Sequence, residues 1–342
     1  MHIGIKIAAG ILSGVGFLTI GGPILGEMFA TMPLIRTRKD FELVRQLKIP
    51  YEEVAFPAND GVTLRGWFFP AGEADAPALI YAPATTNDQI SGIPLVAPLH
   101  EAGYHVLLFS YRGHGRSDGS RFSFTYGAGE SQQVDAAVRY LSAARGIRKI
   151  GLMGHSAGAV SIILSAARNP HVGAVIAIAP FTSMEEVWET NRPFFFPRFL
   201  TALAMNLAEW RKGFSRQDVR PEAVISQIAP RPLLLIFGSK DRFIRLDQAM
   251  KLYETAREPK QLWMMKDAGH SQVRAVVMEQ LLPDVITFLD AAFRMESAQK
   301  KSSLFSRGRE DDHRTPGQTG MLTARDPSVL TWGQKWSPVN TE

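Results

Sequence analysis

The chain of 342 residues contains no cysteine. That absence excludes disulfides, a thiol nucleophile, thiolate metal sites and S-acylation, and it leaves the compartment open. Its His, Asp and Glu residues nowhere cluster at metal-ligand spacing, and it has no P-loop. The glycine-rich stretches near the amino terminus follow no strand, so they are not dinucleotide sites. No cofactor and no metal is expected. Charged residues make up 21% and hydrophobic residues 45%, the balance of a globular protein with one large core.

The net charge of +5 is carried by the two ends. Residues 1–48 hold six Lys/Arg against three Asp/Glu, and residues 297–342 hold seven against five. Residues 49–296 are therefore formally neutral. A nucleic-acid-binding domain carries its basic excess on its folded part, so no nucleic-acid partner is expected. Basic flanks suit a membrane surface better.

Between Lys6 and Glu27 lie 20 uncharged residues, Ile7 to Gly26, and an apolar run continues to Ile35. That length crosses a bilayer as a helix, so membrane contact is expected through residues 7–35. A cleaved signal peptide fits less well, because Met28 stands where a small residue is wanted before Ala30. An interfacial hairpin stays open, since Gly21-Gly22-Pro23 interrupts the run. Arg36, Arg38, Lys39, Arg45 and Lys48 follow the span and only Lys6 precedes it. The positive-inside bias then puts a single-span anchor in the membrane and the catalytic domain on the cytoplasmic face. The sequence thus divides into an anchor and basic linker (1–48), a catalytic domain (49–296) and a polar tail (297–342) expected to be disordered.

Within the domain, apolar strands alternate with amphipathic helices. Residues 51–57 and 62–70 flank the turn Asn59-Asp60-Gly61 as a hairpin. Residues 78–82, 104–110, 150–153, 172–178, 232–237 and 261–265 read as buried strands. Helices are expected over 98–102, 132–144, 159–167, 247–256 and 276–293. This order implies a mostly parallel sheet with helices on both faces and ligands at the carboxyl ends of its strands. Residues 181–228 interrupt the alternation and carry Trp188, Phe194, Phe195, Phe196, Phe199 and Trp210. A connection that long is a helical cap over the site. Trp188, Phe195 and Phe199 are its candidate pocket residues.

Gly154-His155-Ser156-Ala157-Gly158 joins a strand to a helix. Small neighbours allow a strained turn that holds the Ser156 hydroxyl at the sheet edge. A serine hydroxyl needs a base oriented by a third group. Of eight histidines, His2 and His313 lie in the ends, His100 and His105 at the wrong edge, His155 in the elbow and His171 before a strand. His114 and His270 remain. His270 follows the strand 261–265, and Asp241 follows 232–237, both at carboxyl edges. The order Ser156, Asp241, His270 is that of a nucleophile, an acid and a base in one fold class.

With these motifs in place, the chain resembles the α/β-hydrolase superfamily over residues 50–295. The loop Tyr111-Arg112-Gly113-His114-Gly115-Arg116-Ser117 is similar to its serine aminopeptidase, monoacylglycerol lipase and lysophospholipase branch. The resemblance implies an α/β-hydrolase fold, with Ser156 as nucleophile, His270 as general base and acid, and Asp241 orienting the imidazole. It also implies an oxyanion hole made by the backbone N–H of Ala157 and one donor from the loop after residue 82. Relatives carry His-Gly there. This chain has Pro83, which lacks an N–H, so the donor is expected at Ala84, or failing that at Thr85. Arg112 and His114 are expected to brace their loop.

The substrate implied is a small-molecule ester or acyl compound. An aminopeptidase-like amide hydrolase would use the same triad and needs acids to hold a free amino group. Glu185, Glu186, Glu189 and Glu209 in the cap are the candidates. A membrane-tethered binding protein with a relic triad is a third possibility.

Overall fold

The computed structural model describes residues 40–307, except 86, 121, 193, 195 and 196. Eight strands form one sheet: β1 (Glu52–Pro57), β2 (Thr63–Phe69), β3 (Ala78–Ala82), β4 (His105–Ser110), β5 (Ile150–His155), β6 (Val172–Ile178), β7 (Leu233–Gly238) and β8 (Lys260–Met265). Their spatial order is β1-β2-β4-β3-β5-β6-β7-β8. The hairpin β1–β2 and the β2–β4 pair are antiparallel, and the other pairs are parallel. The chain crosses over once between β3 and β4. From β5 to β8 it moves steadily to one edge. Strands β3 to β7 are buried at every position, and the β5–β6 pairing shifts register between Ile150 and Gly151. Continuous apolar runs are what a sheet covered on both faces requires.

The helices are α1 (Asp40–Gln46), α2 (Ile93–Glu101), α3 (Ala128–Arg139), α4 (Ala157–Arg168), α5 (Met184–Asn191), α6 (Arg198–Lys212), α7 (Leu246–Thr255), α8 (His270–Gln280) and α9 (Leu282–Arg307). Two apolar clusters lie on opposite faces of the sheet. One packs Val134, Val138, Val160 and Ile163 of α3 and α4 against Ile80, Leu107 and Leu152. The other packs Leu95 and Leu99 of α2 and Val285 and Leu289 of α9 against Leu79, Val106 and Ile176. The helical cap expected over 181–228 consists of α5, α6 and short helical turns between Arg216 and Ile228.

Two expectations need correction. The single closing helix over 276–293 is two helices that break at Leu281, where Pro283 falls in the first turn of α9. Proline lacks an N–H and is tolerated at a helix start, so it fixes a new one. The polar tail expected from residue 297 overlaps α9, which continues to Arg307. The expected membrane segment, residues 7–35, lies outside the described residues. Among those described, no helix is long and apolar enough to cross a membrane.

Candidate active site

Ser156 stands between the end of β5 and the start of α4 with φ 56 and ψ −122. Non-glycine residues rarely occupy that region, and holding one there costs about 1–3 kcal/mol. The surrounding packing makes the turn possible. The Ser156 N–H donates to the Ile178 carbonyl at 2.8 Å, which ties the elbow to β6. A Cβ at Gly154 would lie 2.6 Å from the backbone of Gly158, and one at Gly158 would lie 2.2 Å from the Ala82 carbonyl oxygen. Helix α4 therefore starts against both β5 and the end of β3.

His270 is the first residue of α8. Its Nε2 lies 3.0 Å from Ser156 Oγ and its Nδ1 2.7 Å from Asp241 Oδ2. With Nδ1 donating to the carboxylate, Nε2 is left as the acceptor for the serine proton. Asp241 is held from the other side: its Oδ1 accepts the N–H groups of Phe243 and Ile244 at 2.8 and 2.9 Å. The carboxylate side chain is fully buried. A buried carboxylate held by three donors cannot swing. Three residues spread over more than a hundred positions thus meet at one edge.

The acid and histidine loops are also laced together. Lys240 N–H donates to the Ala268 carbonyl, and Asp267 N–H donates to Ser239 Oγ. A Cβ at Gly238 would sit 2.2 Å from that Ala268 oxygen. Asp267, the carboxylate nearest His270 in sequence, pairs with Lys240 at 2.8 Å.

Helix α4 leaves the Ala157 N–H without an intrahelical acceptor, as at any helix start. The loop after β3 crosses directly over Gly158, with Pro83 oxygen 2.5 Å from a Cβ placed there. Ala84 is buried in that loop. His114 braces it: Nδ1 faces the Arg112 carbonyl and Nε2 the Thr85 carbonyl, both at 3.0 Å.

Sequence reasoning passed over two neighbours. His155 lies beside His270, rings 4.9 Å apart, and its Nε2 is 3.2 Å from the His270 carbonyl oxygen. Burial, reinforced by the nearby His270, pushes the His155 imidazole down to about 3, so the ring is neutral and Nε2 carries the donated proton. Phe243 packs its ring 5.4 Å from His270. The only sequence signal for either was proximity to a triad member.

The pocket residues fare unevenly. Trp188 is half-buried and packs on Tyr126 at 5.7 Å. Phe195 lies outside the described residues. Phe199 is 63% exposed and turns away from the core, because α6 buries Leu200, Thr201, Ala204, Met205 and Ala208 instead. A cavity of about 1100 Å³ runs beside α3 and α4 under the end of α6, and no triad residue lines it.

Comparison with known proteins agrees with this geometry. The family model for serine aminopeptidase, S33 (Hydrolase_4), matches residues 93–227. The uncharacterized protein YfhR of Escherichia coli K12 is 32% identical over 228 residues, covering 64% of this chain and 73% of YfhR. GrgF of Penicillium, named a polyketide transferase, is 24% identical over 284 residues, covering 70% of this chain and 96% of GrgF. Its crystal structure, described as an α/β-hydrolase, matches with a TM-score of 0.57 over 71% of this chain and 99% of that one, at 25% identity. The Pyrococcus furiosus esterase Pf2001 matches with a TM-score of 0.62 over 76% and 97%, at 23% identity. By its sheet order, its elbow and these relatives, the chain belongs to the α/β-hydrolase superfamily.

Proposed function

We propose that the protein is a serine hydrolase that cleaves carboxylic esters of acyl or lipid-like acids through an acyl-enzyme on Ser156. The observation that carries this is the unbroken line Ser156 Oγ, His270 Nε2, His270 Nδ1, Asp241 Oδ2, at 3.0 and 2.7 Å. In the first half-reaction Ser156 Oγ attacks the ester carbonyl while His270 Nε2 takes its proton. Asp241 stabilises the imidazolium without accepting that proton. The oxyanion is met by the N–H groups of Ala157 and Ala84. His270 then gives its proton to the leaving alcohol. Water reverses the sequence and releases the acid.

Two observations favour esters over aminoacyl amides. GrgF, a relative by sequence, is named a polyketide transferase, and transfer of a polyketide is a reaction of acyl compounds rather than of free amino termini. Three of the four cap glutamates that would bind a free amino group are occupied, Glu186 by Thr182, Glu189 by Arg192 and Arg198, and Glu209 by Arg216, while Glu185 accepts from Gln217 at Oε1 and keeps a buried Oε2 without a partner. Short- and medium-chain p-nitrophenyl esters set against aminoacyl p-nitroanilides test the choice. Faster turnover of the anilides would overturn the ester assignment.

For the remainder of the chain we propose a single amino-terminal membrane anchor within residues 7–35 that holds the domain, residues 49–296, on the cytoplasmic face. A reporter fused after residue 48 and active only on the far side of the membrane would contradict it.

A further inference from the structure

The sheet edge that holds the triad also carries an apolar surface that the reaction does not use. After Asp241, Phe243 is 55% exposed between exposed Arg242 and Arg245, and Leu246, the first residue of α7, is 54% exposed. On the cap, α6 turns Phe199, Leu203 and Trp210 outward, 63%, 42% and 81% exposed. At the α-helical repeat these three fall within about 40° of one another along roughly 16 Å of helix. The opposite side of α6 is apolar too, and it is buried. A solvated helix is polar on its outer face; one apolar on both sides has a second contact.

Printed contacts bring the two surfaces to one rim. Asn191 Nδ2, at the end of α5, donates to the Phe243 carbonyl, and Gln248 Nε2 to Thr190 Oγ1, both at 3.2 Å. Arg198, at the start of α6, reaches Glu189 of α5 at 3.4 Å. Helix α1 lies at the same carboxyl edge, against the helical turn Gln89–Gly92 that follows β3, with Val44 fully buried. The described chain therefore begins at this rim. Immediately before it come the 20 uncharged residues 7–26 and then Arg36, Arg38 and Lys39.

We infer that this rim and the outer face of α6 dock on an anionic bilayer, with the active-site mouth turned toward the lipid. Charge selects the occupant. Arg198, Arg211, Arg242 and Arg245 are exposed around the apolar side chains, against Glu189 and Asp247. A second copy would bring the same arginines face to face, whereas anionic headgroups neutralise them. Phe and Trp side chains suit the headgroup boundary, and arginine stems reach across it. The inference rests on the hydrolase assignment only for what the docked mouth takes in, namely an acyl substrate delivered from the membrane.

The absence of cysteine makes the test direct. Leu203→Cys, or Thr255→Cys at the far end of α7, introduces one thiol into the full chain for an environment-sensitive fluorophore. With vesicles of phosphatidylcholine and phosphatidylglycerol, the label at 203 shifts to the blue and is quenched by lipid nitroxides. The label at 255 does neither. Replacing Arg198, Arg242 and Arg245 with Gln weakens the response at 203 by about fivefold for each charge lost. A label at 203 that stays solvated on vesicle-bound chain overturns the docking. So does equal quenching on phosphatidylcholine alone, or a shift that appears with protein concentration in the absence of vesicles. Ser156 labelling by a fluorophosphonate, scored on the same samples, separates failure of the docking from failure of the hydrolase assignment.

Discussion

The His155 ring donates from Nε2 to the main-chain carbonyl of His270, 3.2 Å away, so one histidine of the elbow fixes the backbone of the other. The contact joins the end of β5 to the start of α8. It leaves the His270 ring free to face Ser156 and Asp241. In the proposed mechanism His155 is a positioning residue, since it acts through His270 and touches no reacting atom.

Replacing His155 with Leu removes that donor. It should lower kcat by about 10- to 100-fold with little change in KM, because a misplacement of about 1 Å costs on that order. His155→Gln retains an N–H donor at a similar reach and should recover most of the rate. Steady-state kinetics on one p-nitrophenyl ester distinguishes the two variants. Equal loss in both would show that only ring packing matters.

Burial of His155 also ties stability to acidity. In the folded chain the ring remains neutral down to about 3, whereas its ordinary value is 6.5. Between those values the unfolded chain binds the extra proton. Stability is therefore complete above 6.5 and falls as pH falls toward 3, by about 1.4 kcal/mol per unit for this group. Burial lowers His105 as well, with the same sign. Urea unfolding from pH 7 to 4 should show a shallower slope for His155→Leu than for the parent chain.

Asp241→Asn should leave the fold intact and reduce kcat about 10⁴-fold, since the amide favours the wrong imidazole tautomer. The Phe243 and Ile244 N–H groups still find the Asn oxygen, so the melting temperature should move little. A large drop in melting temperature alongside the rate would mean that Asp241 is chiefly structural.

Gly158→Ala tests the close approach beneath the loop after β3, the proposed source of an oxyanion donor. The new Cβ would lie 2.2 Å from the Ala82 carbonyl oxygen, a backbone atom that cannot step aside without moving Pro83 and Ala84. Activity should fall more than stability does. His114→Ala, which releases the Thr85 carbonyl on the far side of that loop, should depress kcat in the same direction by a smaller factor.

Much of this was legible in the chain. The buried strands announced themselves as short apolar runs, and the order of Ser156, Asp241 and His270 at strand ends follows from counting elements. What escaped was lateral. No local pattern marks His155 as the neighbour of His270, because the pair is 115 residues apart and meets only through the sheet order. The direction in which Phe199 faces was not legible for a related reason. An aromatic residue in a cap suggests a pocket, but the face of α6 that is buried depends on which helix face meets the core. Leu200, Ala204 and Ala208 won that position. The break at Leu281 was missed because apolar residues recur on both sides of it from Val276 to Phe293, and Pro283 is the local sign of a new helix start.

The most direct measurement is covalent. The full chain is treated with a fluorophosphonate and digested, and the modified peptide is sequenced, beside the variants Ser156→Ala and His270→Ala. Stoichiometric modification at Ser156 in the parent, none in Ser156→Ala and a rate reduced by several orders of magnitude in His270→Ala is the result expected of a serine activated by that imidazole. Modification elsewhere, or labelling of Ser156 at the same rate without His270, would contradict it.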